Sequence, residues 1–166
     1  MLLIREIASD ISVNRRNWRG ILVLVPYRVA HSVTRLPRAV QWVFWPYIAF
    51  YKILTEVLLC TELHWKVTAG YGLRIYHGYG LVVHSSAKLG SNVILRHNVT
   101  IGEKNTDGDV APAIGDDVDI GAGAILLGPI KVGNGAVVGA GSVVLIDVPD
   151  GGVAVGNPAR LLKRET

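Results

Sequence analysis

The sequence predicts a mainly β protein: a parallel β-helix of hexapeptide repeats preceded by an α-helical segment. Three observations carry that reading. An aliphatic residue recurs every six positions, at Val83, Leu89, Leu95 and Ile101, then at Ile114, Ile120, Leu126, Val132, Val138 and Val144. A second, often smaller residue stands two positions before most of these, at Ala87, Val93, Val99, Val118, Ala124, Ile130, Ala136 and Ser142. Glycine follows the aliphatic at Gly90, Gly102, Gly115, Gly121, Gly133 and Gly139. Neither a helix nor a half-buried strand has a period of six. A coil of three short strands does, when each strand sends one aliphatic inward. Glycine after the aliphatic lets the corner turn without a Cβ penalty. Asn92, Asn98, Asp117 and Asn134 suit corners that need positive φ or a side-chain bond to the backbone.

Length and composition set the frame. At 166 residues the chain is one domain with a helical extension. Cys60 is the only cysteine, which excludes a disulfide framework and suits a reducing compartment. The opening MLLIREIASD meets acidic residues early and offers no small-residue cleavage site, so no secretory leader is expected. Composition shifts near residue 60: all glycines but Gly20 lie at or after Gly70, and all four tryptophans lie at or before Trp65. Residues 1–60 carry a net charge of +5 and the remainder −1. The chain therefore divides into a helical segment, 1–60, and a β-helix domain, 61–166, with an extended loop at 102–112 and a C-terminal cap.

Residues 2–11 read as a short helix, Pro26 suits the first turn of a second, and Pro37 precedes a third over roughly 38–58. That third stretch is apolar, but Gln41, Pro46, Lys52 and Glu56 interrupt it, which disfavours a membrane span. Two roles fit the segment. One is a cap over the open edge of the coils. The other is a basic, aromatic surface for an anionic membrane or a lipid-linked substrate.

The six-residue beat slips twice. Thirteen residues separate Ile101 from Ile114 where twelve would keep register, and the intervening GEKNTDGDVAP is polar, as a loop thrown out from a coil should be. Leu63, Ala69 and Ile75 keep the beat, then YHGYGL inserts two residues before Val83. His77 sits in that slip, off the inner rows, where it can face solvent or a neighbouring subunit. Loops projecting from a rigid scaffold are where binding sites are built.

Four segments, in order, resemble one family. Tyr27-Arg28-Val29-Ala30-His31 is similar to its helical YRxxH segment, and Glu62-Leu63-His64 to the D/E-I-H start of its β-helix. Tyr76-His77-Gly78-Tyr79-Gly80-Leu81-Val82-Val83 is similar to the HHGYAVV-like segment that carries the catalytic histidine. Gly156-Asn157-Pro158-Ala159-Arg160 is similar to the closing G-x-P-A-R/K motif. Over about 135 residues the chain resembles the serine acetyltransferases and, more closely, the short polysaccharide O-acetyltransferases of the colanic acid biosynthesis group. The resemblance implies a left-handed parallel β-helix, an exception to the right-handed crossover rule. It also implies acetyl-CoA as co-substrate, no metal, and a homotrimer with active sites between subunits.

Roles follow by position. His77 would be the general base, taking a proton from the acceptor hydroxyl. Glu62, where the serine enzymes place an Asp, would stack beside His77 and fix its tautomer. Backbone N–H groups near Gly102 are candidates for holding the oxyanion. Gly102, Ala122 and Ala140 match small corner positions along which CoA lies, and Lys163 or Arg164 would meet its phosphates. His97 and His64 are candidates for the acceptor site's wall, with Tyr76, Tyr79 and Trp65 as aromatic faces for a pyranose. His31 reads as structural and His84 as a solvated corner. His77, His84 and His97 also raise a zinc reading, but their spacings of 7 and 13 do not place all three on one corner.

Departures from the serine enzymes steer the substrate. Their extended loop ends in Arg-His-Pro, whose Arg and His hold the amino acid's carboxylate; here the matching residues are Val110-Ala111-Pro112. The Asp before their catalytic histidine is Tyr76 here. Serine is therefore a poor fit and an uncharged sugar hydroxyl a better one. The expectation is an O-acetyltransferase acting on a capsular or exopolysaccharide unit, free or carried on a pyrophosphate lipid. It would be cytoplasmic, at the inner membrane face, with peripheral contact through residues 1–60 and no nucleic-acid partner. The alternatives are acetylation of a small acceptor such as serine, and a non-catalytic hexapeptide scaffold or binding module.

Overall fold

All ten beat residues from Val83 to Val144 are buried, as are all eight residues two positions before them. The computed structural model describes residues 2–105 and 110–162, and in it these two rows fill a triangular prism of about four turns. One face stacks Thr61–Leu63, Leu81–Val83, Thr100–Gly102, Ile125–Leu127 and Val143–Val144 in parallel. The second stacks Thr68–Ala69, Lys88–Leu89, Ala113–Ile114 and Lys131–Val132. The third runs from Arg74–Ile75 through Ile94–Leu95, Asp119–Ile120 and Val137–Val138 to Val153–Gly156, which Ala159–Leu161 closes antiparallel. Each fully buried Leu, Ile or Val in these rows contributes about 1.5–3 kcal/mol.

An unlooped coil advances three beats, as from Leu126 to Val144. The first coil, from Leu63 to Val83, is longer because the slip at His77 adds two positions to those three beats. The coil that carries the loop, from Ile101 to Leu126, is longer still. Ile101 and Ile114 therefore bracket a single corner, and the loop inserts one whole beat more than the thirteen-residue spacing suggests. A six-residue beat cannot by itself distinguish one corner with a long loop from two corners with a short one.

The N-terminal segment opens with α1 (Leu2–Val13) and α2 (Trp18–Ser32). Asn17 caps α2, its side-chain oxygen accepting the Gly20 N–H at 3.2 Å. Pro26 lies inside α2 rather than in its first turn, because the Asn17 cap starts the helix earlier. The stretch from 38 to 58 is also not one helix. It breaks into α3 (Arg38–Gln41), a 3₁₀ turn (Trp42–Phe44), α4 (Trp45–Lys52) and a π-helical turn (Ile53–Leu58). Pro46 has no N–H to offer the Trp42 carbonyl, so the helix restarts around it.

These helices are hydrogen-bonded onto the first coil. Asp10 accepts the Leu73 N–H at 3.0 Å, and Asn14 donates to the Leu73 carbonyl at 2.8 Å while accepting the Ile75 N–H at 3.4 Å. Asn17 donates to the Ile75 carbonyl. Arg28, fully buried, pairs with Asp10 at 2.7 Å and donates to the Ala69 and Gly70 carbonyls at 2.7 and 2.5 Å. Tyr27 donates to Val67 at 2.7 Å, Tyr51 to Leu63, and His31 Nδ1 to Trp65 at 3.1 Å. The edge of a parallel coil thereby finds partners it would otherwise lack. Burial raises the Asp10 carboxyl above its ordinary range against the pull of Arg28. Burial also opposes the Arg28 charge, but Asp10 outweighs it and holds the guanidinium up.

From α4 onward, Ile48, Tyr51, Thr55 and Leu59 face the coil. Val43, Pro46, Phe50, Ile53 and Val57 form the opposite stripe and are exposed, with Trp42 and Trp45 beside them. Among the described residues no helix is long and apolar enough to cross a membrane.

Two outcomes follow for stability. Arg28→Met leaves Asp10 and two carbonyls short of partners, at a cost of about 3–5 kcal/mol. Calorimetry should show Tm falling by roughly 6 °C or more; a shift within about 2 °C would mean the pair is not what fastens the helices. His31 is held below its ordinary value of 6.5, chiefly by burial. The unfolded chain then binds the extra proton first, so stability should fall as pH drops through that value. Denaturant midpoints at neutral and mildly acidic pH should differ less in His31→Gln than in the wild type, and equal slopes would refute the assignment.

Candidate active site

The two-residue slip makes the corner between the third and first faces bulge, and His77 is exposed on that bulge. Its backbone is left-handed, with φ 67°, and Gly78 follows at φ 72°. A residue with a β-carbon is uncommon there, and such strain clusters at functional sites. Arg19 of α2 fixes the corner from above. It donates to the carbonyls of His77 and Leu59 at 3.3 and 3.4 Å and lies over the Tyr79 ring at 3.9 Å.

One coil further on, Leu95 pairs with Ile75, and the corner presents His97. The His77 and His97 rings meet edge to face with centroids 5.9 Å apart. Below them the Gly123 N–H donates to the His97 carbonyl at 3.0 Å, and the Gly141 N–H to the Ala122 carbonyl at 2.8 Å. The corner thus runs as a column: His77, His97, Ala122, Ala140. Close stacking dictates the glycine beside the column, since a Cβ on Gly121 would lie 2.7 Å from Ala140 Cα.

Two clefts share Tyr76 and His77 as a common wall. One, of about 410 Å³, lies toward the α1–α2 turn and is lined by Ser12, Val13, Asn14, Arg15, Arg16 and Asn17. The other, of about 370 Å³, lies toward the coils and is lined by Ile94, Arg96 and His97. Arg96 is already held by Asp119, whose hydrogen bond keeps its guanidinium up. A larger cleft of about 560 Å³ lies under the returning arm of the loop, among Ser86, Lys88, Val110 and Lys131. Among the described residues its lining holds no imidazole and no carboxylate, whereas the His77 corner brings two imidazoles together.

Other expected site residues are not brought together in the single chain. Glu62 is exposed on the first face, and no hydrogen bond or ion pair joins it to His77 among the described residues. The nearest link is the Thr61 hydroxyl, which donates to the Gly78 carbonyl at 2.8 Å. Val82, not His77, is the residue that stacks on Glu62, because a separation of fifteen falls short of the lengthened first coil. His64 and Trp65 stack on each other at the far end of their strand, with centroids 6.0 Å apart. Burial, then Lys66, Lys52 and His84, push the His64 pKa down. Gly102 also lies at that far end, so its backbone does not meet His77 of the same chain. His84 is not a solvated corner. It is half-buried, its Nδ1 lies 3.0 Å from the Ser86 hydroxyl and its Nε2 lies 3.7 Å from Glu103. His77, His84 and His97 form no metal-binding group among the described residues. Tyr76 and Tyr79 are exposed at the corner. Lys163 and Arg164 lie outside the described residues.

Sequence reasoning missed the turn from Ser12 to Asn17 and missed Arg19. The signal available was the polar run Asn14-Arg15-Arg16-Asn17 between two apolar stretches. Nothing local reveals that it meets residues some sixty positions later.

A corner histidine above a stack of small residues, on a hexapeptide β-helix, defines a hexapeptide-repeat transferase. Residues 112–145 match the family described as Bacterial transferase hexapeptide (six repeats). The chain is 38% identical over 157 residues to the putative colanic acid biosynthesis acetyltransferase WcaB of Escherichia coli (strain K12), which covers 92% of this chain and 96% of that one. It is 42% identical over 147 residues to probable serine acetyltransferase 1 of Oryza sativa subsp. japonica, covering 88% of this chain and 46% of that one. The structure of soybean serine acetyltransferase apoenzyme matches with a TM-score of 0.85 at 40% identity, over 96% of this chain and 69% of that one. A serine acetyltransferase in complex with CoA matches with a TM-score of 0.81 at 28% identity, over 96% and 69%. The chain belongs to the hexapeptide-repeat acetyltransferases.

Proposed function

We propose that this acetyltransferase moves acetyl from acetyl-CoA to a hydroxyl of a capsular or exopolysaccharide unit, with His77 as general base. The observation that carries the reading is the position of His77, an exposed, left-handed corner residue that walls two clefts at once. Acceptor and donor can reach one imidazole from opposite sides. Acetyl-CoA as donor is supported by the acetyltransferase relatives and by the relative in complex with CoA. The small residues Ala122 and Ala140, continuing the column below His97, leave room for it along the corner.

The reaction is a single acyl transfer. The acceptor oxygen attacks the thioester carbonyl as His77 takes its proton. The tetrahedral intermediate collapses with loss of the CoA sulfur, which receives that proton from the imidazolium. Glu62, one residue from the Thr61–Gly78 hydrogen bond but not bonded to His77 among the described residues, is the carboxylate this reading would enlist to orient His77. The extended loop leaves from a different corner than His77. A homotrimer would set the loop, and Gly102 at its base, against the His77 corner of the neighbouring chain.

Transfer to serine is the second reading, and the rice and soybean relatives favour it. Against it, Val110 is apolar, and Ala111 and Pro112 are buried, the Ala111 N–H donating to the Ser86 hydroxyl at 3.1 Å. None of the three can hold a carboxylate.

Thiol release from acetyl-CoA separates these readings, with L-serine tested beside a panel of oligosaccharide repeat units. His77→Asn is the variant to use, because Asn tolerates the left-handed backbone. It should reduce saccharide-dependent turnover by about 10²–10⁴-fold with Tm nearly unchanged. Glu62→Gln should cost less, about tenfold or somewhat more. Robust turnover with serine would overturn the saccharide assignment, and turnover surviving His77→Asn would move the base to another residue.

The exposed apolar stripe opposite the coil, on a segment that carries a net charge of +5 over residues 1–60, supports peripheral contact with the inner membrane face and a lipid-carried acceptor. The protein should co-sediment with phosphatidylglycerol-containing vesicles more than with phosphatidylcholine alone. Phe50→Ser/Ile53→Ser should weaken that binding severalfold. No sedimentation with either vesicle, or equal rates on free and lipid-linked saccharide, would remove the membrane from the reading.

A further inference from the structure

We propose that the cleft between the α1–α2 turn and the Tyr76–His77 corner is an anion subsite, in which Arg15 and Arg16 hold a carboxylate or phosphate carried by the acceptor. The identity of that acceptor rests on the acetyl-transfer reading above; the binding of an anion does not.

Both arginines line the 410 Å³ cleft that His77 closes. Both are exposed, and neither forms an ion pair or a hydrogen bond among the described residues. By contrast, Arg28 is paired with Asp10, Arg35 with Glu6 and Arg96 with Asp119. Asp10, the carboxylate nearest the turn in sequence, is 1% exposed and already engaged by Arg28. Among the described residues the cleft's lining includes no acidic side chain to compensate the two arginines.

The turn that carries them is not a loose loop. Asn14, 2% exposed, is bonded to Leu73 and Ile75, and Asn17 is bonded to the Ile75 carbonyl. Arg15 and Arg16 are therefore displayed from a backbone pinned on both sides to the coil that positions His77. Guanidinium groups recognise carboxylate and phosphate oxygens through paired, charge-assisted hydrogen bonds. Ser12 and Asn17 add neutral hydrogen-bonding groups suited to sugar hydroxyls. The donor corner of His97, Ala122 and Ala140 runs the other way from His77, so the arginines lie on the acceptor's side.

The test is calorimetric titration of the intact protein, presaturated with CoA, using D-glucuronate, inorganic pyrophosphate and neutral D-glucose as probes. An anion should bind the wild type, and Arg15→Ala/Arg16→Ala should weaken it by about tenfold or more. Arg15→Lys/Arg16→Lys should recover part of the loss, with Tm unchanged in both variants. The tighter of glucuronate and pyrophosphate identifies whether a sugar carboxylate or a phosphate is the natural group. Equal anion binding in the wild type and the Ala/Ala variant would overturn the proposal, as would binding abolished by CoA, which would assign the arginines to the donor. Anion binding lost in Ala/Ala supports the subsite even if no saccharide is turned over, an outcome that would sink only the saccharide reading. Saccharide turnover with the same KM in the wild type and Ala/Ala, for charged and neutral acceptors alike, would sink the subsite and leave the transferase standing.

Discussion

A parallel β-helix has two open ends, and here the first is closed by the buried Asp10–Arg28 pair and the polar residues in line with it. Asp10, Asn14 and Asn17 present side-chain donors and acceptors to Leu73 and Ile75 much as another strand would. Arg28 reaches the Ala69 and Gly70 carbonyls one corner away. A buried ion pair is in general weak evidence of stability, because desolvation offsets the Coulomb attraction. This one earns its place by geometry, since its remaining hydrogen-bonding capacity goes to backbone groups that the edge of the first coil leaves open. Packing alone could not supply those bonds.

That cap also determines the site. The turn between α1 and α2 must lie against the edge strand to make its hydrogen bonds, and His77 follows that strand by two residues. Capping the coil and walling the cleft beside His77 are therefore one placement. Arg19, just inside α2, ties the His77 carbonyl to that of Leu59, which joins the start of the first strand to the corner bulge. The two extra positions of the first coil let His77 leave the inner rows, while His97, Ala122 and Ala140 keep to the column beneath it. A prism that repeats every three beats provides a column; the lengthening of its first coil provides an exposed imidazole at the head of that column.

Much of this was legible because the β-helix encodes its core locally. A six-residue beat names the inward residue of every strand without knowledge of any distant contact, and each beat residue from Val83 to Val144 is buried. The helical segment was less legible for the opposite reason. Its period is regular, but Pro26 and Pro46 act according to where the Asn17 cap and the coil fix the chain. The thirteen-residue spacing of Ile101 and Ile114 misled because length in a loop carries no register. Glu62 and His77 were linked in sequence by coil arithmetic, and the register that sets Glu62 against Val82 separates them in the chain. Arg15 and Arg16 gave only the weak signal of a polar run between two apolar stretches, since the contacts that bring their turn to the His77 corner are made some sixty residues away.

The helix from Trp45 onward shows how one element serves two surroundings. Its coil-facing stripe of Ile48, Tyr51, Thr55 and Leu59 is enough to dock it, with the Tyr51 hydroxyl bonded to the Leu63 carbonyl. A helix needing only that contact would carry charge on its other face. Here the other face keeps Val43, Phe50, Ile53 and Val57 exposed, and three of the chain's four tryptophans are exposed on the helical segment. A contiguous apolar surface of this kind is costly in water and is not required by the fold beneath it. The stripe ends at Val57, two residues before Leu59, whose carbonyl shares the Arg19 guanidinium with His77. The exposed apolar stripe therefore ends close to the corner that presents His77, and the Arg19 guanidinium links the two.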